Sequence, residues 1–229
     1  MANKISEKEA ARQENIEQTV SKTNQFFTEN KKLLITLTAV VAVLVLAALA
    51  YNKFVYQPKC EEAVAEAVAA ENNFAAGNYD LALNGDGNVL GFTQIIEDYG
   101  TKSGKDVYLY AGLCALQLGQ YEDAIDYLKK YKSDEAITKA RALACMGDAY
   151  SGLENYKEAL RCYDQAIAVD DNFSNIFNAT YMLKAGVVCE QLGDNAKALS
   201  YYKAIKDKYP QSMEGYDIDK YISRIESQQ

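Results

Sequence analysis

Histidine and tryptophan are absent from this chain of 229 residues. Without histidine the chain lacks the side chain that most often serves as a general base or as a metal ligand near neutral pH. No serine or cysteine stands in a recognisable nucleophile motif. The sequence therefore predicts a protein that is not an enzyme and that binds no metal and no cofactor.

An excess of basic residues is also missing: the chain has 24 basic and 32 acidic side chains, and its net charge is −8. Proteins that bind nucleic acid carry basic patches, so this balance argues against a nucleic-acid partner. A glycine-rich stretch, Asn84–Asn88, lacks the GxGxxG spacing of a dinucleotide-binding loop and follows no predicted strand. It also has only one Asp, too few for a calcium loop. The stretch is predicted to be a loop between two helices.

Five cysteines form neither a CxxC pair nor a metal-binding spacing nor an even disulfide framework. Cys114, Cys145, Cys162 and Cys189 fall in predicted helices, where each serves as a small buried apolar residue. Cys60 is the only one expected to be exposed. Free thiols are more usual in a reducing compartment. Either the domain faces the cytosol, or the envelope around it is weakly oxidising.

Leu33–Ala50 is an uncharged run of eighteen residues, and Tyr51 extends it to nineteen. A membrane-spanning helix needs about 20 apolar residues, so the sequence predicts a span over residues 33–51. The alternative is a cleavable signal peptide, since Ala48-Leu49-Ala50 resembles a cleavage site. The length of the run and its leader of 32 residues favour a retained anchor.

The basic residues on the two sides of the span differ slightly in number, and this bias favours one orientation in the membrane. Lys22, Lys31 and Lys32 precede it, and Lys53 and Lys59 follow it. By the positive-inside rule, residues 1–32 are a cytoplasmic tail and the larger acidic part lies outside.

The tail itself is predicted to be helical from a capping box at Ser6 and Glu9. Ile16, Val20 and Phe27 then recur at helical spacing. This helix is either solvated or docks on a cytoplasmic or membrane partner.

Three later stretches overlay in one register: residues 105–138, 140–173 and 179–212. They share a glycine at the eighth position and an alanine at the twentieth, and Pro210 closes the third stretch. These small residues are Gly112, Gly147, Gly186, Ala124, Ala159 and Ala198. Large residues recur at positions four and twenty-four. The small residues let two helices approach closely, and the large ones fill the space between them.

The shared positions resemble the tetratricopeptide repeat (TPR), a 34-residue helix–turn–helix unit. The resemblance implies an all-α fold, a TPR-type solenoid preceded by a single transmembrane helix. Residues 63–229 form the solenoid, with a degenerate repeat at 63–99 and a cap helix at 216–227. Residues 52–62 are predicted to be a juxtamembrane linker and helix start, and Gln57-Pro58 within them is predicted to break the helix.

In TPR proteins the first helix of each unit lines a concave groove that binds partners. The residues carried over to that face are Phe74, Leu109, Leu113, Leu116, Arg141, Asp148, Leu183, Val187 and Glu190. This face is apolar with scattered charge, which suits extended or unfolded polypeptide. Alternatively, several of these leucines are packed beneath the cap helix or another repeat. Leu109 and Leu113 occupy positions where a carboxylate clamp needs basic or amide side chains, so that clamp is absent.

The order of parts resembles the YfgM-like family: a short cytoplasmic tail, one span and a periplasmic TPR domain. The first-repeat insertion around residues 81–92 is similar to that of such proteins from Bacteroidetes-type bacteria. The resemblance implies a non-catalytic accessory of the Sec translocon channel in the bacterial inner membrane. Its implied partners are that channel, a membrane-anchored periplasmic prolyl isomerase and secreted polypeptides.

Two other functions fit the same parts, because a TPR motif establishes fold better than function. One is a TPR scaffold of another envelope complex, in outer-membrane assembly or aerotolerance. The other is an organelle import receptor whose TPR domain faces the cytosol.

Overall fold

The computed structural model describes residues 25–169 and 177–227. The chain divides into two compact units, Met1–Pro58 and Lys59–Gln229. The predicted capping box at Ser6 and the apolar positions Ile16 and Val20 lie outside the described residues.

In the first unit, helix α1 (Lys31–Tyr51) contains the predicted span, and none of its residues is buried. Among the described residues it belongs to the one helical stretch that is long and apolar enough to cross a membrane. Its two threonines do not interrupt it, because their hydroxyls donate to helix carbonyls: Thr36 to Lys32 at 2.8 Å and Thr38 to Leu34 at 3.0 Å. Both hydroxyls are therefore paired within the helix, as a membrane-spanning helix would require.

The predicted helix break at Gln57-Pro58 is wrong. A π-helical turn at Asn52–Tyr56 leads directly into helix α2, Gln57–Ala75. Proline cannot donate a backbone hydrogen bond, and its ring crowds the preceding turn. A wide turn immediately before Pro58, in which the Gln57 amide donates to the Asn52 carbonyl, lets the helical backbone accommodate it.

The second unit is built from helices, and the residues described contain no strand. After α2 come α3 (Tyr79–Asn84), α4 (Phe92–Tyr99), a 3₁₀ turn (Gly100–Ser103), α5 (Asp106–Gln117), α6 (Tyr121–Lys130), α7 (Ala136–Gly152), α8 (Tyr156–Ala168), α9 (Asn178–Gln191), α10 (Asn195–Lys208) and α11 (Met213–Glu226). The predicted all-α repeat architecture is confirmed.

Three helix pairs, α5 with α6, α7 with α8 and α9 with α10, are each joined by a turn of three residues. A residue in the left-handed conformation ends the first helix of every pair: Gly119 at φ 73°, Glu154 at φ 57° and Gly193 at φ 75°. In each turn the next amide donates to the carbonyl five residues earlier, at 2.9 Å. This helix-ending motif reverses the chain at the same place in all three pairs.

Inside each pair the glycine at the eighth position faces the large residue at the twenty-fourth. A Cβ atom on Gly147 would lie 2.6 Å from the Tyr163 ring, and one on Gly112 would lie 2.6 Å from Leu128. Gly186 meets the ring of Tyr202 in the same way. The alanines at the twentieth position, Ala124, Ala159 and Ala198, have no exposed surface. Only small residues allow these helices to approach so closely.

Before the first clear pair, the degenerate repeat divides its second helix into α3 and α4. A loop, residues 85–91, lies between them; the sequence predicted a loop at 84–88, and Asn84 instead ends α3. Asp86 holds it by accepting the amides of Asn88 and Val89, and these bonds lower the pKa of its carboxyl group. Ala63, Ala67 and Ala70 are the buried residues of α2.

The chain closes with α11, which begins three residues before the predicted cap helix. Ser212 caps it by accepting the Gly215 amide at 3.0 Å. Ile218, Ile222 and Ile225 are buried in the cluster that includes α9 and α10. Pro210 is exposed and follows the end of α10.

Replacing Gly147 by Ala is expected to destabilise the repeat unit by about 1–3 kcal/mol, because the added methyl group overlaps a ring with little freedom to move. The measurement is urea unfolding of the full chain in mild detergent, followed by circular dichroism. Ser223→Ala, at an exposed position of α11, is the control and should change stability by less than about 0.5 kcal/mol. Equal stability of the two variants would contradict this packing.

Candidate partner-binding face

The nine residues predicted to line the concave groove lie on the first helices of the repeats. Phe74 is on α2; Leu109, Leu113 and Leu116 are on α5; Arg141 and Asp148 are on α7; Leu183, Val187 and Glu190 are on α9. Arg141 and Val187 are exposed, and the other seven are half-buried.

Four of the six apolar members of this set also pack against the core. Leu109 packs on the buried cluster that contains Leu128 and Met146. Leu116 packs on the N-terminal core and Leu183 on the C-terminal core. These leucines therefore support the helices while they keep part of their surface open.

Phe74 belongs to an aromatic group at the N-terminal end of the repeats. Its ring lies 5.8 Å from Tyr79 and 5.1 Å from Tyr110 between centroids. Tyr110 in turn stacks on Phe92 at 5.6 Å. Phe74 is thus held by edge and tilted aromatic contacts of the kind that favour a single orientation.

Asp148 is the centre of a polar network that joins two repeats. It accepts a hydrogen bond from the Tyr163 hydroxyl at 2.7 Å and pairs with Lys184 at 2.7 and 2.8 Å through its two oxygens. Tyr163 belongs to the same repeat as Asp148, whereas Lys184 lies on the first helix of the next. Burial is the main cause that raises the pKa of Tyr163, and the Asp148 charge adds to it.

Glu190 repeats this arrangement one unit later. It accepts from the Tyr202 hydroxyl at 2.5 Å and pairs with Arg224 of the cap helix at 2.6 Å. Thr180 also donates to Glu214 of that helix at 2.5 Å. Two of the predicted binding charges, Asp148 and Glu190, therefore also link neighbouring elements of the solenoid.

Sequence reasoning missed the partners of these two carboxylates. A signal for them was available, because position twenty-four carries Tyr163 and Tyr202 in the second and third repeats but Leu128 in the first. A buried tyrosine needs a partner for its hydroxyl. Each finds a carboxylate on the facing helix, fifteen or twelve residues earlier.

A third network connects the second helices of the last two repeats. Asp164 accepts from the Tyr201 hydroxyl and pairs with Lys197 at 3.3 Å. No ion pair in the described part of the chain joins the first repeat to the second. That junction uses the Tyr121 ring against Gly152 and the Lys129 ammonium 5.9 Å above the Tyr150 ring.

The cysteines are free, and Cys114, Cys162 and Cys189 are fully buried. The expectation that only Cys60 is exposed is wrong: it is half-buried, as is Cys145. Burial raises the pKa of Cys114 to about 12 and those of Cys145 and Cys189 to about 11. These thiols are protonated and unreactive at neutral pH.

Two family models match overlapping parts of the repeat region. A tetratricopeptide repeat model matches residues 138–209, and a model of anaphase-promoting complex (cyclosome) subunit 3 matches residues 92–166. Comparison with the curated proteins finds no match.

Two crystal structures of MamA protein share the fold. One has a TM-score of 0.56 at 18% identity, and the match covers 74% of this chain and 83% of the MamA chain. The other has a TM-score of 0.52 at 19% identity, and the match covers 69% of this chain and 92% of the MamA chain. Together with the repeat geometry, these matches show that the chain contains tetratricopeptide repeats, a scaffold for protein–protein interaction.

Replacing Asp148 by Ala is expected to destabilise the repeats by about 1–3 kcal/mol, because it removes the acceptor of the Lys184 ammonium and leaves the Tyr163 hydroxyl with only the longer contact to Ser151, at 3.4 Å. Urea unfolding of the full chain measures this. Glu158→Ala removes the exposed Glu158–Arg161 pair, at 2.8 Å, and should cost less than about 1 kcal/mol. An Asp148→Ala effect no larger than this control would show that the network contributes nothing to stability.

The buried thiols predict a loss of stability at high pH. The pKa of Cys114 is raised in the folded state from 9.0 to about 12, so its contribution is complete below pH 9 and is lost as the pH rises toward 12. The melting temperature should therefore fall steadily above pH 9. The fall should be smaller for Cys114→Ala than for Cys60→Ser, and a melting temperature independent of pH between 8 and 11 would contradict the burial of these groups.

Proposed function

We propose that this chain is a non-catalytic, membrane-anchored TPR protein that accompanies the Sec protein-translocation channel. The N-terminal tail lies in the cytoplasm, helix α1 crosses the bacterial inner membrane, and the repeats lie in the periplasm. There the repeats bind partner proteins or the emerging polypeptide. The partners are the Sec channel, a membrane-anchored prolyl isomerase and secreted chains.

The observation that carries this proposal is the order of parts along the chain. One candidate membrane helix comes first, and a unit of tetratricopeptide repeats follows it. A scaffold tethered in this order is suited to act at the membrane surface, where a translocation channel releases its substrates.

The binding surface in this proposal is the face described above. Arg141 and Val187 offer exposed contacts, and the half-buried leucines offer apolar ones. Extended polypeptide of varied sequence presents both side-chain carbon and backbone polar groups, so a mixed face of this kind suits it. Asp148 and Glu190 are each paired with a basic side chain, Lys184 and Arg224, which reduces the repulsion of acidic segments by this face.

Burial of Cys114, Cys162 and Cys189 weakens the argument from free thiols for a cytosolic domain. A thiol that is shielded and protonated stays free whether or not its surroundings are oxidising. The import-receptor alternative rested on the free thiols, of which Cys60 and Cys145 are the two that are not fully buried. A scaffold of another envelope complex differs from our proposal only in the partner that is recovered.

In-cell crosslinking followed by purification of the tagged full chain in mild detergent tests this proposal. We expect recovery of the Sec channel, and reduced recovery for Arg141→Glu/Val187→Glu because two contacts on the face gain negative charge. Lys157→Glu/Ala168→Glu, which makes the same charge change at exposed positions of α8, is the matched control and should behave as the natural chain. Recovery of other envelope components without the channel would contradict the proposal.

A further inference from the structure

The second helix of the first repeat is shorter than its two counterparts. Helix α6 has 10 residues, whereas α8 has 13 and α10 has 14. Tyr131 ends it in an extended conformation, at φ −66° and ψ 131°. The chain then runs outside a helix as far as Glu135, so nearly one helical turn is missing where the first repeat meets the second.

A cavity of about 430 Å³ lies at this junction. Its apolar lining is provided by Leu128, Tyr131, Ala142, Leu143 and Met146, of which all but Leu143 are at least nine-tenths buried. The volume is within the range of sites that bind small ligands or large side chains. The missing turn explains the cavity, because α6 ends at Lys130 and has no further turn whose side chains could fill this space.

Three lysines surround the apolar lining. Lys129 comes from the last turn of α6, Lys132 from the loop and Lys139 from the first turn of α7. None of the ion pairs among the described residues uses them, and Asp134 is the one acidic residue in the lining. Lys129 lies over the Tyr150 ring, whereas no ion pair or ring contact of the described residues uses Lys132 or Lys139. In a chain with a net charge of −8, this is a local concentration of positive charge without a carboxylate partner.

The loop at the edge of the cavity is held by its own hydrogen bonds. The hydroxyls of Ser133 and Thr138 lie 2.8 Å apart, and the Glu135 amide donates to Ser133 at 3.1 Å. Thr138 also donates to the Glu135 carbonyl at 3.2 Å. A preformed edge lowers the entropy that a ligand loses on binding.

We propose that this cavity binds an acidic polypeptide segment of a partner that carries one aromatic or large aliphatic side chain. The apolar side chain fills the cavity, and the carboxylates on either side of it pair with the lysines. Because the three lysines come from three different elements, they suit several carboxylates along a chain better than the single headgroup of a lipid.

This inference rests on the proposed function in one respect, that the repeats bind polypeptide. It adds a second site with its own chemistry, because none of the nine residues of the predicted concave face lines the cavity. The site selects its ligand by charge, whereas the concave face is mixed and tolerant.

Fluorescence anisotropy of the full chain in uncharged detergent tests the site with the dye-labelled peptide Asp-Glu-Phe-Asp-Glu. We expect Lys132→Glu/Lys139→Glu to weaken binding by about tenfold or more, because two attractive pairs become repulsive. Lys105→Glu/Lys157→Glu makes the same change in net charge at exposed positions away from the cavity and should weaken it by less than about threefold. Replacing Phe by Ser in the peptide should also weaken binding by about tenfold, since a buried aromatic side chain is lost.

Equal weakening by the two lysine pairs would overturn the proposal, because it would indicate attraction to net charge alone. Equal affinity for the Phe and Ser peptides would overturn it as well, because the cavity would then be unused. Displacement of the peptide by sodium decanoate at equal concentration would assign the site to a lipid-like anion instead. The titration contains no Sec component, so its failure is distinguished from a failure of the crosslinking experiment.

Discussion

The close approach of two helices at a glycine, filled by a large side chain from the facing helix, is the contact on which this structure depends. At Gly147 the absence of a side chain admits the Tyr163 ring. That packing delivers the Tyr163 hydroxyl to Asp148, which also receives Lys184 from the next repeat. A single steric constraint therefore forms the helix pair and orients the charge that couples it to its neighbour.

This coupling is unevenly distributed along the solenoid. The second and third repeats and the cap helix are linked by carboxylates that each join a tyrosine to a basic side chain. The first repeat has Leu128 at the equivalent position and has no hydroxyl to direct such a network. Among the described residues its junction with the second repeat has no ion pair, and it contains the cavity beside α6, where Lys132 and Lys139 have no carboxylate partner. The polar networks that couple the repeats and the cavity beside α6 are thus located in different parts of the same unit.

The sequence predicted the repeat architecture because glycine and alanine recur in one register with the large residues that pack on them. It failed where the outcome depends on neighbours outside the motif. Pro58 is a helix breaker by local rules, yet a π turn at Asn52–Tyr56 accommodates it. Asp148 and Glu190 lie at groove positions, but their pairing requires residues more than thirty positions away. The cavity depends on the early end of α6, and no repeat position encodes it.

The most direct test of the proposed arrangement is the side of the membrane on which the repeats lie. Val64 is exposed on α2, beyond the candidate span, so Val64→Cys in a Cys60→Ser/Cys145→Ala chain provides one accessible thiol. In intact cells whose outer membrane has been made permeable, an inner-membrane-impermeant maleimide should label this thiol. Labelling only after the inner membrane is disrupted would place the repeats in the cytoplasm and contradict the account.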